Sequence, residues 1–147
     1  MRGIVRRGHT TVLRKADYEI LAQFRYLLRQ FTSFSESAAH QAGLTPQHHQ
    51  ALLAIKGFPG REQITIGELA ERLCVRHHSV VGLVDRLVSQ ELCERRTDPA
   101  DRRRVLVELT AKAEDVLAQL TLAHRDELRR VAPLLRALLS NLEGKGA

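Results

Sequence analysis

The residues of this chain best equipped for chemistry are arginines and histidines, and they gather in two places. Arg76, His77, His78 and Ser79 follow one another directly, and Arg95, Arg96, Arg102, Arg103 and Arg104 crowd a second short stretch. Arginine offers a planar fork of donors that fits phosphate oxygens or the acceptor edge of guanine. The chemistry on offer is therefore the gripping of a polyanion. A search for catalytic patterns finds no Ser/His/Asp or Cys/His pairing that stands out, no glycine-rich phosphate loop and no glycine-bounded nucleophile. The expectation is a protein that binds rather than turns over, with no cofactor.

Those side chains need elements to aim them, and the stretch from Thr65 to Leu109 supplies them. Thr65, Ile66, Gly67 and Glu68 form a Thr-x-x-Glu capping box, which satisfies two orphan N–H groups at a helix start. Leu69, Ala70 and Leu73 give that helix a buried stripe, and Cys74, Val75 and Arg76 leave room only for a sharp turn. A second helix is predicted from His77 to about Gln90, with Val80, Leu83, Val84 and Leu87 on its inner face. Leu92–Arg96 and Val105–Leu109 read as strands joined through Thr97–Asp101, with Arg102, Arg103 and Arg104 alternating sides where the ribbon returns. This order is a helix-turn-helix followed by a wing.

Helical geometry leaves His77, His78, Val81, Gly82, Asp85 and Ser89 on the outer side. Reader helices present their N-terminal residues to the major groove, so Arg76, His77, His78 and Ser79 are expected at bases or nearby phosphates. Val81 can touch a thymine methyl, and Gly82 lets the helix lie close. Arg86 either reaches a phosphate or pairs with an acid near the wing base. Asp85 and Asp101 repel phosphate, so their expected work is to position arginines.

The rest of the chain bounds the reading. The 147 residues are 44% hydrophobic, enough for an ordinary core, and the formal charge of +6 suits an anionic partner. No apolar run approaches the roughly 18 residues of a membrane span. Met1–Arg7 is basic without the apolar stretch of a secretory signal, so a cytoplasmic protein is expected. Two cysteines, Cys74 and Cys93, make no disulfide framework there. Cys74 is expected small and buried at the turn, and Cys93 an ordinary strand residue. Cys74-x-x-His77 has zinc-like spacing but no second ligand pair, and adjacent His48 and His49 point about 100° apart on a helix; no metal site is assigned.

Residues 1–16 read as a basic arm, 44–110 as the DNA-binding lobe, and 17–43 with 111–147 as helical flanks. Ile20, Phe24, Leu27, Leu28, Phe31 and Phe34 stripe a helix from Asp17 to about Gln41, ended by Gly43. Thr45 caps a helix whose first residue is Pro46 and which carries Leu52, Leu53 and Ile55. Thr110 caps a long helix with Val116, Leu117 and Leu120. Pro133 predicts a kink or break before a final short helix of Leu134, Leu135, Leu138, Leu139 and Leu142. These flanks exceed what a compact lobe needs, and a second copy is the simplest cover for their stripes. Leu134, Leu135, Leu138 and Leu142 are the dimerisation candidates.

The arrangement resembles the MarR family of winged helix-turn-helix regulators over nearly the whole chain. The most specific parts are Leu83-Val84-Asp85-Arg86-Leu87, Leu92–Arg96, Asp98–Arg103 and Val105–Thr110. The resemblance implies a mainly α fold with a small β wing, flanked by dimerisation helices, acting as a homodimer on an inverted-repeat operator in double-stranded DNA. It implies that Asp101-Arg102-Arg103 stabilises the wing and presents Arg103 to the minor groove. It also implies repression released by a small phenolic or lipophilic effector, bound between the dimerisation helices and the lobe. Phe24, Phe31 and Leu52 are then candidate apolar walls, and Arg25 or His48 candidate partners for a carboxylate or phenolate. The chain departs from the family at Arg76, where a small capping residue is usual, at Val81 and Gly82 in the reader helix, and at Glu91, where glycine is usual. The alternatives are a metal-responsive regulator and a winged-helix module that binds only protein.

Overall fold

The computed structural model describes residues 12–143. The basic residues Arg2, Arg6 and Arg7 and the tail beyond Glu143 lie outside the described residues. Five helices and three strands follow in the order α1 (Lys15–Gln41), α2 (Pro46–Lys56), β1 (Gln63–Thr65), α3 (Ile66–Leu73), α4 (His77–Ser89), β2 (Cys93–Thr97), β3 (Val105–Leu109) and α5 (Ala111–Glu143). No helix among the described residues is long and apolar enough to cross a membrane.

The caps read from sequence are present. Thr45 Oγ1 accepts from the His48 amide at 3.1 Å at the start of α2, with Pro46 in the first turn. Thr65 Oγ1 accepts from the Glu68 amide at 3.2 Å while the Thr65 amide donates to Glu68 Oε1 at 3.0 Å. Thr110 Oγ1 accepts from the Ala113 amide at 3.2 Å and donates to the Glu91 carbonyl at 2.7 Å, which ties the start of α5 to the end of the reader helix.

Helices α1, α3 and α4 end in the same way. Leu44 N–H reaches Ala39 O and Gly43 N–H reaches His40 O; Val75 and Cys74 do the same with Ala70 and Glu71, and Leu92 and Glu91 with Leu87 and Val88. This paired closure needs a left-handed residue after the helix. Gly43 supplies it at φ 79°, but Cys74 and Glu91 adopt φ 55° and 59° with side chains attached, at a cost of about 1–2 kcal/mol each.

One apolar core joins the lobe to the flanks. Leu52 and Ile55 of α2, Leu69 of α3, and Val80, Leu83, Val84 and Leu87 of α4 are fully buried with Ile64 and Val107 of the sheet; Leu117 and Leu120 of α5 complete the cluster. A smaller cluster joins Leu27 of α1 to Val131 and Leu138 of α5, with Ile20 and Phe24 against it. The sheet is antiparallel in the order β1-β3-β2, with Ile64 opposite Val107 and Arg95 opposite Val107 on the other side.

Four expectations are corrected. Strand β1 was not foreseen: three residues are too short for a periodic signal, and pairing with β3 alone defines them. Helix α5 runs unbroken through Pro133, with no separate final helix. Pro133 and Arg129, whose carbonyl loses its amide partner, are both exposed residues, while Val131 and Leu138 hold the flanking turns against α1. Arg102, Arg103 and Arg104 precede β3 in a turn, so strand alternation does not aim them. Cys74 is exposed, because the left-handed closure carries it out of the core. Separately, the dimerisation candidate Leu138 is 8% exposed in the single chain and packs with Leu27.

Candidate nucleic-acid interface

Helix α4 separates its two jobs by face. The inner residues Val80, Leu83, Val84 and Leu87 are fully buried, whereas Arg76, His77, His78, Ser79, Val81, Asp85 and Arg86 are exposed and Gly82 is half-buried. Arg76 stands at the N-cap position without a side-chain cap, so its guanidinium is left for an outside partner. The Ser79 and Val80 amides bond back to the Arg76 carbonyl at 3.1 and 3.3 Å. The first amides of a helix have no intrahelical acceptor and point outward beside the positive end of the helix dipole. An anion placed there meets the His77 and His78 amides, which lack a backbone acceptor, together with Arg76 and the two imidazoles.

Gly82 is not required by the protein's own packing. A Cβ added there would meet only Arg86 Nη1, at an ordinary 3.7 Å. Arg86 is exposed and forms no ion pair among the described residues.

The wing sorts its arginines. Arg95 of β2 is paired with Asp85 of α4, so the ribbon is tied to the outer face of the reader helix. Arg96 is paired with Glu108 of β3 and lies 3.5 Å from Glu94. Arg104 Nε approaches Asp98 Oδ2 at 4.0 Å. The turn between the strands is braced by its acids: the Ala100 amide donates to Asp98 Oδ1 at 2.9 Å, the Arg103 amide to Asp101 Oδ1 at 3.0 Å, and the Arg104 amide to the Asp101 carbonyl at 3.0 Å. Arg102 and Arg103 remain at the tip with no acidic partner among the described residues. Asp85 and Asp101 thus position arginines, as their types suggested. Cys93, at the root of β2, is buried, and burial pushes its thiol up to about 12 despite the nearby Arg95 charge.

The residues proposed from resemblance as an effector site do not share one cavity in the chain. Leu52 is fully buried in the main core, and Phe24 packs on the smaller cluster. Arg25 lies with Leu28, Arg29, Thr32, Ser33 and Glu36 in an open cleft of about 420 Å³. Phe31 stands edge-on to His124 with centroids 5.9 Å apart, and His48 is buried in α2. A wider cleft, about 960 Å³, lies between the start of α1 and the end of α5, lined by Arg14, Asp17, Ile20, Leu138 and Leu142. Of the dimerisation candidates, Leu134 and Leu142 are 50% and 62% exposed and Leu135 is half-buried, alongside exposed Val12, Leu13, Tyr18 and Leu21. Sequence reasoning missed the pairing of His49 with His124, whose rings come within 4.8 Å across 74 intervening positions; no local spacing could have paired them.

Residues 42–104 match the profile of the MarR family. The chain is 35% identical over 66 residues to the uncharacterized HTH-type transcriptional regulator YsmB of Bacillus subtilis, a match spanning 45% of each protein. It is 30% identical over 109 residues to the HTH-type transcriptional repressor NicR of Pseudomonas putida, covering 71% of this chain and 67% of NicR. Its fold is similar to that of a cysteine-to-serine mutant of MarR from E. coli solved with operator DNA, at a TM-score of 0.63 and 22% identity over 90% of this chain and 99% of that one. Strand order, the braced wing and the match to NicR agree: the chain belongs to the MarR family of HTH-type transcriptional regulators.

Proposed function

We propose that two copies of the chain bind an inverted repeat in duplex DNA and repress transcription from it. The observation that carries this reading is the sorting of cations. Arg95, Arg96 and Arg104 are tied to acids, while Arg76, Arg86, Arg102 and Arg103 have no acidic partner among the described residues on the exposed reader helix and wing tip. A reader helix in the major groove, with Arg76, His77, His78, Ser79 and Val81 toward the bases, puts a wing arginine within reach of the adjacent minor groove. The operator complex of the structurally similar MarR supports this placement, and the name of NicR supports repression.

The second copy is supported by the apolar residues left uncovered on α1 and α5, Leu134 and Leu142 foremost. Two reader helices would then lie about one helical turn, near 34 Å, apart. Release by a small phenolic or lipophilic effector belongs to the same reading and rests on family membership. Selection of bound sequences from a random duplex library tests the whole: the expected product is a two-fold symmetric site. Recovery of unrelated sequences, or a monomer at micromolar concentration, counts against it.

A further inference from the structure

Three helices meet at a cluster of imidazoles that the DNA-facing surface does not use. His48 and His49 are neighbours in α2 and both are buried, at 5% and 1% exposure. Successive helical residues point about 100° apart, so the two rings face different parts of the molecule. The His49 ring stands 4.8 Å from that of His124 on α5, centroid to centroid. His124 Nδ1 lies 2.6 Å from the Leu120 carbonyl oxygen and Nε2 lies 2.9 Å from Ser35 Oγ on α1. A carbonyl only accepts, so His124 carries its proton on Nδ1 and accepts from the Ser35 hydroxyl at Nε2. Phe31 and Phe34 of α1 close the ring in, edge-on. On the other side, the charge acting on His48 is that of Arg86 in the reader helix.

His49 Nδ1 is buried with no hydrogen-bond partner. In the neutral ring it is a bare acceptor. Protonated, it would be a buried donor with nothing to receive it, on a cation set at a tilt against a second imidazole. The charged or titratable groups acting on them are His124 from α5, on His49, and Arg86 from α4, on His48, while α1 sets the neutral Ser35 hydroxyl and two phenyl rings against His124. Burial first, and then the neighbouring His124 or Arg86, holds His49 and His48 below the usual 6.5. The sign follows. Above the usual value both rings are neutral and nothing is lost; below it the unfolded chain takes protons that the folded junction resists, so the junction loses stability as pH falls toward the folded-state value.

We propose that His48, His49 and His124 form a proton-responsive joint between the α1/α5 pair and the reader helix, so that acidification loosens the seat of α2 and weakens the grip on DNA. The DNA half rests on the proposed function. Exposed His77 and His78 work in the opposite direction, since a proton there adds positive charge where phosphate would lie. The two effects are therefore separable by sign.

The test measures duplex affinity and urea-unfolding midpoint together from about pH 7.5 to about pH 5.5 at fixed ionic strength, for the wild type, His49→Gln, His124→Gln and the double variant His77→Ala/His78→Ala. In the wild type both quantities should fall on acidification, affinity by about tenfold for each unit of pKa change that DNA binding imposes. The fall should shrink in His49→Gln and His124→Gln and steepen in His77→Ala/His78→Ala. Should the two glutamine variants fold poorly, NMR titration of the wild-type imidazoles decides: DNA must lower the apparent pKa of His49. Affinity that is flat or rises on acidification in wild type and His49→Gln alike overturns the joint. A chain that binds no duplex at any pH refutes the DNA reading, and an unfolding midpoint insensitive to acid in the wild type refutes the joint without reference to DNA.

Discussion

Arg95 on the wing and Asp85 on the reader helix are ion-paired, and the link crosses from β2 to the outer face of α4. An acid on a DNA-facing helix is unfavourable beside phosphate, so its presence needs a structural reason. The pair supplies one: it fixes the angle at which the wing leaves the helix. Asp85→Ala should cost less than about 1 kcal/mol in stability, since the pair is largely exposed. Its effect on operator affinity should be larger than on stability and should vanish when Arg95 is also replaced. A double-mutant cycle on both quantities checks this; independent, additive effects on affinity would remove Asp85 as a positioning residue.

Arg103→Ala and Arg104→Ala should separate. Arg103 has no acidic partner among the described residues, and its replacement is expected to cost about 1–3 kcal/mol of binding, with a shallower salt dependence. Arg104 faces Asp98, and its loss should leave the salt slope nearly unchanged. Equal slopes for the two variants would contradict the sorting of wing arginines.

Glu91 and Cys74 hold left-handed backbone at φ 59° and 55°. Glu91→Gly and Cys74→Gly should therefore each stabilise the fold by about 0.5–1 kcal/mol, less than the strain removed because glycine also frees the unfolded chain. Urea midpoints measure this. Destabilisation by Glu91→Gly would show that its side chain contributes more than its backbone costs.

The two thiols should differ sharply toward a maleimide. Cys74 is exposed, while Cys93 is buried with its thiol pushed up to about 12. The native protein should take one label, at Cys74, and a second only when unfolded. Two labels on the folded protein would mean that β2 opens readily.

Much of the fold was legible because local rules acted alone. Thr45, Thr65 and Thr110 cap helices where their spacing says they must, and Val80, Leu83, Val84 and Leu87 take the inner face of α4. The failures came where distant parts decide. Pro133 is carried through α5 because α1 packs alongside, and β1 exists only as a partner of β3. Within the candidate site, sequence named the arginines but could not say which were already paired. That distinction depends on Asp85, Asp98 and Glu108 arriving beside particular guanidinium groups. His49 and His124 were out of reach for the same reason.

Leu134→Asp with Leu142→Asp should yield a folded monomer, because both side chains are exposed in the single chain. Light scattering should show the mass halve while the helical circular dichroism persists. DNA affinity should fall with it, since one reader helix reaches only one half-site. A variant that stays dimeric would move the interface elsewhere on α1 and α5.

The central claim is that the unpaired cations of α4 and the wing tip grip duplex DNA. The most direct measurement is fluorescence anisotropy of a labelled inverted-repeat duplex, obtained by selection, titrated with wild type and with Arg102→Ala/Arg103→Ala across a salt series. Affinity of the wild type should fall linearly on a double-logarithmic plot against salt, and the double variant should bind more weakly with a slope smaller by about 1–2. Binding that is indifferent to salt, or identical slopes and affinities for the two proteins, would contradict the account.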